Sequence, residues 1–565
     1  MNQPNPAIVS QAAARRLPRG ALLLFCLAYL LPGFIGRDAW KSADVTALGF
    51  ISELVQGTAP WLRPLLMGVA PDNPALLPYW LGAWVVQWGP GWMPADLLVR
   101  LPFALLLALA LTAAWYGTYY LARSPRAQPV AFAFGGEALP KDYARAMADG
   151  SLLALIACLG LAQLGHETTP ALAQLGFSGL LFYALASLHY HPRTALLSAW
   201  IGLLGLSLSG APSLATLFLA GGLAIHLLDR NTDADAQDPY PLVSVALLTA
   251  GALLTAFLCF RLDLWRWKVE IPQASWAELN GALQLLTWFT WPAWPLALWT
   301  VWRWRRQLFS RHISRHLALP VWFVLVTLGS TLTTGSPDRT LLLGLPAMAT
   351  LAAFALPTLK RQVAALIDWF TLLFFSGCGF TIWVVWIAMQ TGYPAQPAAN
   401  VERLAPGFMP NFSAPAFAIA LVATLVWAWL VQWRVGRHRA AIWKSLVLPA
   451  GGAALCWLLL MTLWMPLLNY TQSYNALVQH TLARLEPAGC AEAIGLEPGK
   501  LAAFQFYGRV QLRPMQLQPQ CPWLLAEPGA DLSVPPAVDR SQWSLLAQVH
   551  HPADGNQTVL IFRRH

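Results

Sequence analysis

The sequence predicts an all-α, polytopic membrane protein with about 13 transmembrane helices and a small α/β domain at the C-terminal end. Three observations carry this. Only 11% of residues are charged and 57% are apolar, against about 25% charged in soluble proteins. The apolar residues gather in runs of about 20, the length of helix that crosses a bilayer. The 29 Trp suit the bilayer interface, where the indole ring is most favourable.

The elements follow in order. Arg15, Arg16 and Arg19 precede an apolar run over 20–36. No small-residue cleavage site follows it, so it reads as a membrane helix. Residues 37–98 form the first outside loop, with amphipathic stretches at 44–56 and 76–88. The second, LLPYWLGAWVVQW, is too short to span and is bounded by Pro74 and Pro90, so both read as helices lying in the interface. Apolar runs at 99–122, 150–164, 171–188, 194–210, 212–228, 240–261, 281–302, 317–333, 340–357, 365–390, 413–433 and 445–467 supply the other spans. The two around Pro212 read as two helices or as one broken hairpin. Residues 468–565 return to ordinary polarity, with a helix at about 473–486 and short apolar runs such as LAAFQFYG, SLLAQVHH and TVLIFRRH. The chain thus divides into a membrane domain, 1–467, and a C-terminal domain, 468–565.

Charge placement orients it. Of the 36 Lys and Arg, twenty fall in segments that are cytoplasmic if the N-terminus is inside; seven lie in the C-terminal domain and nine remain for all outside loops. Basic residues mark the cytoplasmic side, so the C-terminal domain is expected outside. The same placement accounts for the net charge of +10 without a nucleic-acid partner. The run RWRRQLFSRHISRH reads as a cytoplasmic anchor facing anionic lipid. Five of the seven Cys lie in apolar runs. Cys490 and Cys521 lie in the domain placed in an oxidising compartment, where a disulfide between them is expected. No Cys/His spacing suggests a structural zinc site. Asn469-Tyr470-Thr471 matches a glycosylation sequon and is read as chance.

Ionisable residues collect on the outside loops. Asp38, Lys41, Asp44 and Glu53 open the first loop, followed by Arg63 and Asp72; His166 and Glu167, then Asp338 and Arg339, come from later loops. Such groups beside a helical bundle are functional candidates, or solvated loop charges and helix caps. Their chemistry fits a lipid-phosphate sugar donor. Arg63, Arg100 and Arg339 are the cations for a phosphate. Asp44, with Asp38 behind it, is the candidate base for an acceptor hydroxyl. Asp72, His166 and Glu167 are candidate lining residues.

On these residues the chain resembles the GT-C superfamily of membrane glycosyltransferases, in the branch that includes the bacterial lipid A aminoarabinose transferase and relatives of protein O-mannosyltransferases. GRDAWKSADVTALGFISEL resembles the family's stretch around an Asp-Glu pair. PWLRPLLMGVAPDNPALLPYWLGA resembles the stretch with Glu-Lys-Pro-Pro and Tyr-Trp. VRLPFALLLAL and SPDRTLLLGLPAMATLAAFAL resemble an Arg-Leu-Pro helix start and a late Leu-Pro-Ala helix. The chain departs from the pattern with Ala43-Asp44 for Asp-Glu, Asp72-Asn73 for Glu-Lys, and Pro170 where a loop Asp would stand. The resemblance implies a GT-C-like enzyme of a bacterial inner membrane, N-terminus cytoplasmic and C-terminal domain periplasmic. It implies transfer of a sugar from a polyprenyl-phosphate donor to a lipid, glycan or protein acceptor among membrane lipids. No cofactor follows from the residues, and a divalent metal stays open. The rival readings are an inactive relative that binds lipid phosphate, and a transporter or flippase, which would carry more charges at midplane.

Overall fold

The computed structural model describes residues 5–565 except 230–240, 266–274, 311, 437–440, 486–489, 509, 517 and 530–540. Arg230, Arg311, Arg437 and Arg439 of the expected cytoplasmic charges lie outside the described residues. The described chain is mostly helical, with one small sheet near the C-terminus. Among the described residues, six segments are long and apolar enough to cross a membrane: Ala95–Arg123, Pro170–Ser187, Pro241–Arg261, Arg361–Thr391, Ala414–Arg434 and Ile442–Leu463.

The first helices are α1 (Arg19–Leu30), α2 (Ala43–Gln56), α3 (Leu77–Trp88), α4 (Ala95–Arg123) and α5 (Pro140–Ala157). α1 is shorter than the apolar run, because the chain turns at Pro32-Gly33. A Cβ on Gly33 would lie 2.4 Å from the His166 ring. α2 and α3 pack together by Phe50 against Tyr79 and by Ile51 over Gly82. α5 begins well before the expected 150, and its opening turns carry Lys141, Asp142 and Arg145. It ends at Cys158, whose ψ of 118° leaves the helix; α6 (Leu159–Leu164) follows as a separate piece.

Next come α7 (Pro170–Ser187), α8 (Pro192–Leu208), α9 (Pro212–Leu228), α10 (Pro241–Arg261), α11 (Trp276–Phe289) and α12 (Ala293–Arg303). α8 and α9 are two helices, turned at Gly210 (φ 91°), where a Cβ would meet the Pro74 carbonyl at 2.7 Å. α4 and α7 form the centre of the bundle. Their small residues allow close approach: a Cβ on Gly176 would be 3.1 Å from the Leu106 carbonyl. The expected run 281–302 is broken between α11 and α12 at Pro292, which cannot donate a helical hydrogen bond.

The remaining helices are α13 (Arg305–Leu308), α14 (Arg315–Thr331), α15 (Pro337–Leu342), α16 (Leu345–Ala355), α17 (Arg361–Thr391), α18 (Ala395–Leu404), α19 (Ala414–Gly436), α20 (Val447–Leu463), α21 (Met465–Gln472) and α22 (Asn475–Leu482). The runs 340–357 and 445–467 are each divided, and Pro346 and Pro466 stand in the first turns of the new helices α16 and α21. α18 lies between the expected spans 365–390 and 413–433. α17 and α19 pair through Arg434 and Asp368. The apolar windows of Arg361–Thr391 and Ala414–Arg434 are only 28% and 11% buried, against 78% for Ile442–Leu463. The first two therefore present apolar surface outwards, as lipid contact requires.

The sheet holds β1 (Ala491–Ile494), β2 (Leu512–Pro514), β3 (Trp523–Ala526), β4 (Trp543–His551) and β5 (Asp554–Arg564), in order β2-β1-β3-β5-β4. β1 is parallel to β2 and β3, and β5 is antiparallel to β3 and β4. The run LAAFQFYG is mostly helical, in α23 (Pro498–Phe506), the crossover between β1 and β2. α23 docks on α2 so closely that a Cβ on Gly49 would be 2.5 Å from that of Ala502.

Cys490 and Cys521 are disulfide-bonded across a sequence separation of 31. A bond closing a loop of that size contributes about 3–4 kcal/mol. Replacing both cysteines by serine is expected to lower the urea midpoint for proteolysis of the C-terminal domain accordingly. An unchanged midpoint contradicts a stabilising bond.

Candidate functional site

The first loop, the loop before α7 and the start of α15 converge on four charged side chains. Arg37 is 2% exposed, yet its Nη2 reaches Asp44 Oδ2 at 3.2 Å and its Nη1 donates to the His166 carbonyl at 3.0 Å. The guanidinium carbon lies 4.1 Å from the Trp40 ring centre. Asp44 also accepts from the Trp40 N–H at 3.3 Å, and its second oxygen accepts from the N–H and hydroxyl of Thr168. Beside this pair, Glu167 Oε2 meets Arg339 Nη2 at 3.2 Å. Burial, then the neighbouring Asp44 charge, push the Glu167 carboxyl up to about 7, although Arg339 and Arg37 pull the other way. Burial pushes Asp38 upward too, against hydrogen bonds from Ser473 and Asn475.

The loop that carries Arg37 and leads into Asp44 of α2 is held from the C-terminal side. Asn469 Oδ1 accepts from the Asp38 N–H at 3.0 Å and from Trp40 Nε1 at 3.1 Å, and Nδ2 donates to the Gly36 carbonyl at 3.0 Å. The Tyr507 hydroxyl accepts from the Ala39 N–H at 2.8 Å. Lys41 Nζ pairs with Asp554 at 3.1 Å.

Two cavities flank α2. The first, of about 480 Å³, is lined by Ala43, Ala47 and Phe50 of α2 together with Asp72, Thr169 and Arg339. The first residues of α2, α7, α9 and α23 all form part of its wall. Helix N-termini present free N–H groups and positive potential. Thr169, immediately before α7, is 1% exposed, and its hydroxyl is buried with no partner among the described residues. The second cavity, of about 630 Å³, is lined by Leu48, Ser52 and Gln56 of α2 and by Asp38, Arg100 and Tyr507.

The expected site residues are therefore divided. Asp44, Glu167 and Arg339 come together, and Asp72 and Arg339 line the first cavity. Asp38 and Arg100 face the second cavity instead, because α2 stands between them and Arg339. Arg63 lines neither: Pro64 and Leu66 turn inward and leave Arg63 exposed. His166 is not a lining residue. Its ring is buried among Tyr29, Phe34 and Trp457, with Nε2 at 3.1 Å from the Tyr29 carbonyl, and burial lowers its pKa to about 3. Arg37, Thr168, Thr169 and Asn469 were not anticipated. Arg37 directly precedes Asp38 in the acid-rich loop opening, the one signal that pointed to it. Among the described residues no group of three or more His, Cys, Asp or Glu is arranged to hold a metal ion.

No family model and no curated protein matches the chain in sequence. Two solved structures share its fold. ArnT from Cupriavidus metallidurans bound to undecaprenyl phosphate has a TM-score of 0.59 at 13% identity, covering 97% of this chain and 98% of that one. The same protein in the apo state has a TM-score of 0.58 at 14% identity, covering 96% and 98%. ArnT is the lipid A aminoarabinose transferase, of GT-C fold. The chain is thus similar in fold, over nearly its whole length, to a GT-C membrane glycosyltransferase.

Proposed function

We propose that the protein transfers a sugar from a polyprenyl-phosphate donor to an acceptor hydroxyl, with the donor phosphate in the first cavity. The observation that carries this is the convergence of Arg339, the unpartnered Thr169 hydroxyl and four helix N-termini on one 480 Å³ space. Each of these favours an anion. The likeness in fold to a protein crystallised with undecaprenyl phosphate supports the same reading. Arg339 takes the place of the Lys that Asn73 lacks. The carboxylate chemistry belongs to the Asp44–Glu167 pair.

In this reading residues 1–467 form a GT-C-like membrane domain of about 13 spans, and 468–565 form a periplasmic domain of a bacterial inner-membrane protein. One observation favours a second reading, an inactive relative that binds lipid phosphate only: both oxygens of Asp44 are occupied by donors.

Three measurements follow. Undecaprenyl phosphate is expected to bind the purified protein, and Arg339→Ala to weaken that binding at least about tenfold. Asp44→Asn is expected to keep binding but to cut transfer by about 10²–10⁴-fold, the usual scale for a catalytic carboxylate. Binding without transfer by the wild type would select the inactive reading, and no binding at all would overturn the proposal.

The second is a pH dependence. Below about 7, Glu167 holds a proton and leaves Arg339 to the phosphate; above it, the carboxylate anion competes for the guanidinium and repels the phosphate. Binding should therefore tighten as pH falls from about 8 to about 6. The dependence should flatten in Glu167→Gln, and an equal slope in that variant contradicts the role.

The third is topology. Reporter fusions after Arg126 and Arg306 should read cytoplasmic, and fusions after Gly57 and Tyr470 periplasmic. A cytoplasmic C-terminal domain overturns the placement of the site.

A further inference from the structure

The second cavity is built where a membrane-length helix begins. Ala95 and Asp96 open α4 and line it, and Arg100 follows one turn further in. The opposite wall comes from α2, α22 and α23. Arg100 is 6% exposed and, among the described residues, makes one bond, from Nη1 to the Phe34 carbonyl at 3.3 Å. Asp96 makes no hydrogen bond or ion pair among the described residues. Asp38 accepts from Asn475 Nδ2 at 3.4 Å. Gln505 donates from Nε2 to Glu53 at 2.8 Å, while its Oε1 is buried without a partner among the described residues.

The lining thus sets two carboxylates against one guanidinium. A lone anion meets two like charges there, and a lone cation leaves Arg100 unpaired. A zwitterion with an ammonium and a phosphate a few bonds apart satisfies both signs. A primary ammonium has three N–H donors, and Asp38, Asp96 and Gln505 Oε1 are three acceptors. The phosphate takes the Arg100 guanidinium and the first N–H groups of α4, which have no helical partner. A trimethylated ammonium has no N–H and leaves the three acceptors unpaired. The volume, about 630 Å³, is in the range of small-molecule sites.

Apolar surface starts from the same place. Leu101 and Leu105 of α4 are exposed, as are Leu27, Leu31 and Ile35 in and just after the last turns of α1, and the bond from Arg100 to the Phe34 carbonyl joins the two segments. Exposed leucines on a membrane-length helix suit acyl chains. With 29 residues, α4 is longer than the roughly 20 that cross the hydrocarbon, so its first turn stands at headgroup level. We propose that the second cavity binds the aminoethyl phosphate headgroup of a phosphatidylethanolamine-type lipid, whose acyl chains lie along α1 and α4. This site is independent of the transfer reading and takes no part in the reaction. Asp38 adjoins Arg37, so the bound headgroup braces the loop that leads into Asp44.

The test is native mass spectrometry of the full chain, with phosphatidylethanolamine, phosphatidylcholine and phosphatidylglycerol of identical acyl chains added in turn. One phosphatidylethanolamine is expected to bind at least about tenfold tighter than either of the others. Asp96→Asn should cut that preference about tenfold, whereas Arg339→Ala, which alters the other cavity, should keep it. Asp96 is part-exposed, so its variant reports on binding even where Arg100→Gln disturbs α4. Equal binding of the three lipids overturns the proposal, as does tighter binding of the choline or glycerol lipid, or a preference that survives intact in Asp96→Asn. Soluble glycerophosphoethanolamine separates the two sources of the headgroup. It should compete only at least about a hundredfold more weakly than the lipid, and an affinity equal to the lipid's assigns the cavity to a soluble amino phosphate and overturns the lipid site.

Discussion

The buried ion pair between Arg37 and Asp44 is the constraint on which the rest of the site depends. Two opposite charges removed from water are tolerated only with close geometry and further hydrogen bonds. Here those bonds come from different parts of the chain: Trp40 from the same loop, Thr168 and the His166 carbonyl from the loop before α7. Burial pulls the Arg37 guanidinium pKa down, and the Asp44 charge opposes that pull. Losing one partner of such a pair typically costs about 3–5 kcal/mol, so the loop, the start of α7 and the first turn of α2 are fixed as a unit. Glu167 lies within the same loop, between His166 and Thr168, and pairs with Arg339 of α15.

This arrangement explains why α2 divides two unlike cavities. On one side the helix beginnings and Arg339 create positive potential. On the other, Asp38, Asp96 and the amides of α22 and α23 give a lining of mixed polarity. The C-terminal part completes the second and anchors the loop between them, through Asn469, Tyr507 and Asp554.

Much of the fold was legible because bilayer length and hydropathy leave few alternatives. The runs that became α4, α7, α10, α17 and α19 are unbroken in sequence and in structure. The misread runs hold interruptions that hydropathy averages away: Cys158, Pro292, and the prolines that start α16 and α21. Of the site, Asp44, Glu167 and Arg339 were legible as charges on outside loops. Arg63 and Arg100 are grouped with Arg339 in the sequence only because all three are expected on one side of the membrane, and sidedness carries no information on which face of α2 a residue reaches. Arg37 and Asn469 were missed for a related reason. Their roles lie in bonds to backbone atoms of distant segments, at sequence separations of 129 and 431.

The central claim is that the first cavity holds a lipid phosphate. A structure of the full protein in nanodiscs with undecaprenyl phosphate tests it most directly. The account predicts phosphate density within hydrogen-bonding distance of Arg339 and the Thr169 hydroxyl, beside the first turns of α7 and α9. Undecaprenyl phosphate density in the cavity of Asp38 and Arg100, or at the opposite membrane face with the first cavity empty, would contradict it.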